Sequence, residues 1–251
     1  MPQIKLPPLT ASVSDLLDAA TALFRMTLAK GMPVALFAML LAAMPDVYWM
    51  TTGKPMDFRH PPLDPKFWAL TAAGLVCYQL LAAILMLRQR AMMAGGTHDL
   101  RREAALALQR WPMLIVTNLL GGIAIFAGML LLIGPGVYLL VCFLLLRPVV
   151  LFEPADPRRA PQALLRCVRL VRRAWTKVLA AAVIAAIIFL VCVVAAGASL
   201  GVIATVAVGL GAQQAAMNAF AAACQLGVQA VALVYFSALW LVLYCAASSS
   251  A

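Results

Sequence analysis

Along the chain, long uncharged apolar runs alternate with shorter segments in which charged and apolar residues recur at helical spacing. A helix needs about 20 mostly apolar residues to cross the hydrocarbon of a bilayer. Runs of that kind fall at 31–50, 67–87, 112–133, 136–152, 178–204 and 222–246. From Val178 to the end no residue is charged, so the last two spans are divided at "GLGAQQAAMNAF", where Gly209, Gly211, Gln213, Gln214 and Asn218 gather. Whether 205–221 forms a loop, a re-entrant segment or part of a span stays open at this level.

The segments before the odd-numbered spans have a different periodicity. They are "SVSDLLDAATALFRMTLAK", "THDLRREAALALQRWPML" and "DPRRAPQALLRCVRLVRRAWTKVL", predicting amphipathic helices over 12–29, 98–111 and 160–176. In the third, a 100° step puts Leu164, Cys167, Val168, Val171, Ala174 and Trp175 on one face and Arg166, Arg169, Arg172 and Arg173 on the other. Such a helix is expected to lie in the membrane interface, apolar face in the acyl boundary and arginines toward phosphates. The fold predicted is an all-α transmembrane bundle of about six spans in one domain, 1–251, built as three repeats of amphipathic helix, span, span. Ser12 or Ser14 is placed to cap the first helix, with Asp15 and Asp18 near its positive end.

Composition agrees. Of 251 residues 65% are apolar and 11% charged, against about half and a quarter in soluble domains. The formal charge of +10 in so apolar a chain points to loops held against anionic lipid and away from nucleic acid. One side collects Lys5, Arg25, Lys30, Arg88, Arg90, Arg101, Arg102, Arg110, Arg158, Arg159, Arg166, Arg169, Arg172, Arg173 and Lys177. The other has Lys54, Arg59 and Lys66, offset by Asp46, Asp57 and Asp64. The positive-inside rule therefore predicts cytoplasmic N- and C-termini in a bacterial inner membrane. "MPQIKLPPLTASVSDLLD" lacks the basic and then apolar run of a signal peptide, and no cleavage is expected.

Cys77, Cys142, Cys167, Cys192, Cys224 and Cys245 are dispersed in apolar or amphipathic segments without a C-x-x-C, and read as small hydrophobes. His60 and His98 fall in loops on opposite sides. No Walker loop, zinc motif or nucleophilic triad can be assembled, so a protein without enzymatic activity, cofactor or metal is expected.

Arg147 stands inside a span, where a charge costs several kcal/mol and marks function by default. It lies about 9 Å of helical rise before Glu153. Two readings follow: an anchor reaching the phosphates, or a headgroup contact or partner of Glu153. Pro148 beside it should kink or end the helix. Arg147, Glu153, Arg158, Arg159, Arg166, Arg169, Arg172, Arg173 and Lys177 are the candidate contacts to lipid or a membrane partner. Trp49, Trp111 and Trp175 are candidate interfacial anchors. Asp46, beside Tyr48 and Trp49, reads as a solvated carboxylate in an aromatic belt. Gln79, Asn118, Gln225 and Gln229 are amides within spans, placed to bond across helices or to line a cavity. "GASLG" (197–201) matches the close-packing motif of membrane helices, and "GGIAIFAG" (121–128) is a looser match.

The run "IGPGVYLLVCFLLLRPVVLFE" followed by "APQALLRCVRLVRRAWTKVL" resembles the bacterial YciC-like inner-membrane proteins and the related membrane domain of some glycerophosphodiester phosphodiesterases. Gly134, Pro135, Gly136, Tyr138, Pro148, Glu153, Ala163, Leu164, Leu170 and Trp175 match their pattern. Cys167 stands where serine is usual, and Cys142 where an arginine often sits. The resemblance implies a six-span inner-membrane protein connected with envelope integrity or lipid handling, and brings no catalytic residues. Three functions are thus expected in turn: binding of anionic lipid or a partner through the basic helices, transport of a lipid or small amphiphile, and scaffolding of membrane-protein assembly.

Overall fold

The computed structural model describes residues 8, 11–52, 64–96, 99–153, 160–172, 175–209 and 213–249. Among them the chain forms helices only: α1 (Val13–Ala42), α2 (Met44–Thr51), α3 (Pro65–Met93), α4 (Leu100–Leu131), α5 (Ile133–Phe143), α6 (Leu146–Phe152), α7 (Ala160–Arg172), α8 (Trp175–Gly209) and α9 (Gln214–Ser248). Six stretches are long and apolar enough to cross a membrane, and the protein is an all-α, multi-pass membrane bundle.

The spans lie where the apolar runs place them, but the amphipathic segments do not all become separate surface helices. The first is continuous with its span in α1, and the second is continuous with its span in α4. Pro33 and Pro112 are both accommodated inside these helices. The apolar stripe of the first segment, Leu16, Ala19, Ala20 and Leu23, is buried within the main core, which also takes in Leu239, Val242, Leu243 and Ala246 of α9. A segment with a core to enter has no need of the interface. Only α7 is a distinct helix, and its apolar face also turns inward: Ala160, Cys167, Leu170 and Val171 are buried in that core. The expectation of an apolar face resting in acyl chains is therefore corrected to one resting on α4, α5 and α6.

Helix starts follow local chemistry. Ser12 Oγ accepts from the Asp15 N–H at 3.2 Å while the Asp15 carboxylate accepts from the Ser12 N–H at 3.1 Å, a capping box opening α1. Ser12→Ala should cost about 1 kcal/mol in thermal unfolding in detergent. Ser14→Ala, away from the cap contact to the helix N–H, should stay within about 0.5 kcal/mol. Asp64 caps α3 just before Pro65 and accepts from the Tyr48 hydroxyl at 2.7 Å, tying α2 to α3.

The fourth span is broken. Leu144 and Leu145 form a turn between α5 and α6, four and three residues before Pro148, which has no N–H to give the Leu144 carbonyl. The remaining ladder resumes with the Val149 N–H donating to Leu145 O at 3.1 Å. The region 205–221, left open as loop, re-entrant segment or part of a span, is entered by helix from both sides, α8 running to Gly209 and α9 starting at Gln214.

Glycine decides two of the crossings. An added Cβ at Gly74 would lie 2.9 Å from the Leu41 carbonyl oxygen, so α3 meets the α1 backbone there. One at Gly136 would lie 2.8 Å from the Met129 nitrogen, where α5 folds back on α4 across a single extended residue, Leu132. Gly121 and Gly128 of "GGIAIFAG" are both buried against neighbours, whereas a Cβ at Gly197 of "GASLG" would meet nothing within 4 Å.

Candidate functional site

Most of the strongly basic side chains stand at the end of the bundle where α1 begins and α9 finishes, and they divide into those used by the protein and those left outside. Glu153 ends α6, and its carboxylate accepts from Arg166 Nε of α7 at 3.2 Å. Its main-chain oxygen accepts from Arg110 Nη1 of α4, which also donates to Val150 O at 3.1 Å. Arg110 thus caps the last turn of α6, where a cation meets the negative end of the helix dipole. Arg90 lies 4.0 Å over the Phe152 ring, and Phe152 packs against Tyr244 at 5.7 Å. Arg88 bonds the Lys30 carbonyl at 2.9 Å and sits 3.9 Å from the buried Glu103 carboxylate. Lys177 donates to Ala11 O at 3.0 Å.

The remaining face is open. Arg25, Lys30, Arg101, Arg102, Arg169 and Arg172 are exposed, with Arg169 and Arg172 on the outer side of α7. The predicted contacts Arg158, Arg159 and Arg173 lie outside the described residues. Of the predicted set, the fold joins Glu153 to Arg166, leaves Arg169 and Arg172 outward, and sends Arg147 elsewhere. Arg90 and Arg110 were not singled out from the sequence, although Arg110 sits one residue before Trp111 at the junction of amphipathic segment and span. A cleft of about 390 Å³ runs between them, bordered by Arg90, Arg102, Arg110, Asp99 and Glu103.

Arg147 turns away from Glu153. Its Nη2 donates to Gln79 Oε1 of α3 at 2.6 Å, and its guanidinium carbon lies 5.9 Å from the Tyr78 ring centroid. Gln79 is nine residues before Arg88 on the same helix, roughly 13 Å deeper at 1.5 Å per residue. The guanidinium is therefore held inside the bundle at the level of Gln79, away from the basic side chains beside Arg88. Two hollows flank α3 at this depth and share Leu75. One, about 770 Å³, is bordered by Gln79, Asn118, Leu119, Ile123 and Phe126 between α3, α4 and α5. Asn118 Nδ2 is buried there without a hydrogen-bond partner among the described residues. The other, about 530 Å³, is bordered by Arg147, Tyr78, Gln229, Ser237, Phe236 and Trp240. The four amides, placed to bond across helices or to line a cavity, are thus divided: Gln79 bonds across to Arg147 and borders one hollow with Asn118, Gln229 borders the other, and Gln225 is exposed.

Trp49 packs edge-on to Phe67 at 5.4 Å and Trp175 edge-on to Tyr138 at 6.1 Å, and Trp111 is partly buried. Cys142 and Cys167 are both buried, and burial pushes the Cys167 thiol up, which keeps it protonated and unreactive. No family model, curated protein or solved structure matches the chain.

Proposed function

We propose that this membrane protein is a non-enzymatic component of lipid or envelope homeostasis that gathers anionic phospholipid at its basic end. The observation that carries the reading is the exposed set Arg25, Lys30, Arg101, Arg102, Arg169 and Arg172 around one end of an apolar bundle, close to its hydrocarbon-length helices. Each basic side chain near an anionic leaflet contributes about 1 kcal/mol of attraction. Several on one rim enrich anionic lipid over neutral lipid without any single tight pocket. In this reading the basic end faces the cytoplasm of a bacterial inner membrane, following the positive-inside rule. The resemblance of 133–179 to YciC-like proteins supports the same assignment.

The variant that tests it spares Arg166 and Arg110, which hold α7 and α6 in place. Changing Arg101, Arg102, Arg169 and Arg172 together to glutamine should lower the ratio of phosphatidylglycerol to phosphatidylcholine retained on the purified protein at least tenfold, read by mass spectrometry of extracted lipid. An unchanged ratio in a folded variant would refute the proposal.

A further inference from the structure

The hollow beside Arg147 has features the basic rim does not explain. A guanidinium carries five N–H donors, and Arg147 spends one of them on a neutral amide. No ion pair engages it among the described residues. A cation inside the hydrocarbon, placed against a cavity and lacking a protein anion, marks a binding function. The cavity walls supply what else a ligand needs. Gln229 brings a carboxamide with no hydrogen-bond partner among the described residues, while Met39, Leu75, Leu233, Phe189, Phe236 and Trp240 form an apolar lining. A pocket of about 530 Å³, mostly apolar with a few convergent polar groups, suits a small ligand.

We propose that this cavity binds a single-chain fatty acid, its carboxylate on Arg147 and its chain along the aromatic and aliphatic wall. The charge balance is one cation to one monoanion, and a planar carboxylate matches the guanidinium fork. A two-chain phospholipid is disfavoured by room, since a hollow of about 530 Å³ suits a small single-chain ligand. The site is separate from the rim of the proposed lipid surface and does not depend on it.

The test uses radiolabelled palmitate with the full-length protein in phosphatidylcholine nanodiscs. Arg147→Gln should weaken binding at least tenfold, and Arg147→Lys should restore part of it. Hexadecanol should compete at least tenfold less well than palmitate, and phosphatidylglycerol should not displace the probe. Because Arg147 also ties α6 to α3, Ala232→Leu is the second variant: it narrows the cavity from α9 and should weaken binding with the protein folded. Equal competition by the alcohol, displacement by phosphatidylglycerol, undiminished binding to a folded Arg147→Gln protein, or undiminished binding to folded Ala232→Leu would each overturn the assignment. Binding of palmitate by the rim variant at the original affinity, with its phosphatidylglycerol enrichment lost, separates this site from the rim.

Discussion

Gln79→Leu should destabilise the bundle by about 1.5–3 kcal/mol, the range for losing a hydrogen bond to a charged group. The carboxamide oxygen accepts from Arg147 Nη2 at 2.6 Å, and leucine cannot replace it. The guanidinium then keeps only the Tyr78 ring beside it against the cost of desolvation, at a depth where water does not reach it cheaply. Equilibrium unfolding in mixed detergent micelles measures the loss. Gln79→Glu is the control: a carboxylate at the same position forms an ion pair and should recover most of the stability. If leucine and glutamate variants unfold alike, Arg147 is satisfied by something other than Gln79.

Gly136→Val should have an effect of similar size for a different reason, about 3 kcal/mol from overpacking. The α4–α5 hairpin closes with Gly136 against the Met129 backbone and with Gly128 facing Gly136. A side chain there cannot be relieved by rotating a flexible neighbour, because the atoms it meets include main-chain nitrogen at 2.8 Å. The two helices must part, and the buried face of the fourth span parts with them. Gly134→Val, two residues earlier in the same helix, meets nothing within 4 Å. It should change the unfolding midpoint little, within about 0.5 kcal/mol. Equal losses at both positions would mean that the turn conformation, and not the close approach, sets the requirement.

The sequence made some of this legible and hid the rest for identifiable reasons. Span number and position follow from the length of uncharged runs, because hydrocarbon thickness is a fixed ruler. The interruption near Pro148 follows from a missing N–H, and the start of α1 from a serine and an aspartate three residues apart. Which surface an amphipathic face covers does not follow, since lipid and protein interior are equally apolar. The stripe containing Cys167 and Val171 reads as membrane-facing yet enters the core. Glycines are legible only in part: the spacing at 121–128 marks Gly121 and Gly128, which do meet neighbours, whereas a Cβ at Gly197 would meet nothing and the close approaches at Gly74 and Gly136 carry no spacing signal. Arg147 was visible as an anomaly, but its partner lies 68 residues earlier in another helix. Its proximity to Glu153 along the chain suggested the wrong neighbour. Glu153 takes Arg166 and Arg110 instead, because the α6 C-terminus points them toward the end of the bundle.

The connection between α4 and α5 also bears on how the protein enters a membrane. With only Leu132 between Leu131 and Ile133, the third and fourth spans have no length of loop in which one could wait outside while the other inserts. They must be handed over to the bilayer as a paired hairpin. That matters for the fourth span, which carries an arginine worth about 2.5–3.5 kcal/mol against insertion when placed at a helix centre, and which is too broken to offer a continuous apolar cylinder. Synthesis order resolves the difficulty. By the time Arg147 leaves the ribosome, α3 with Gln79 has already been made, so the hairpin can deliver its charge to a waiting acceptor and not to lipid.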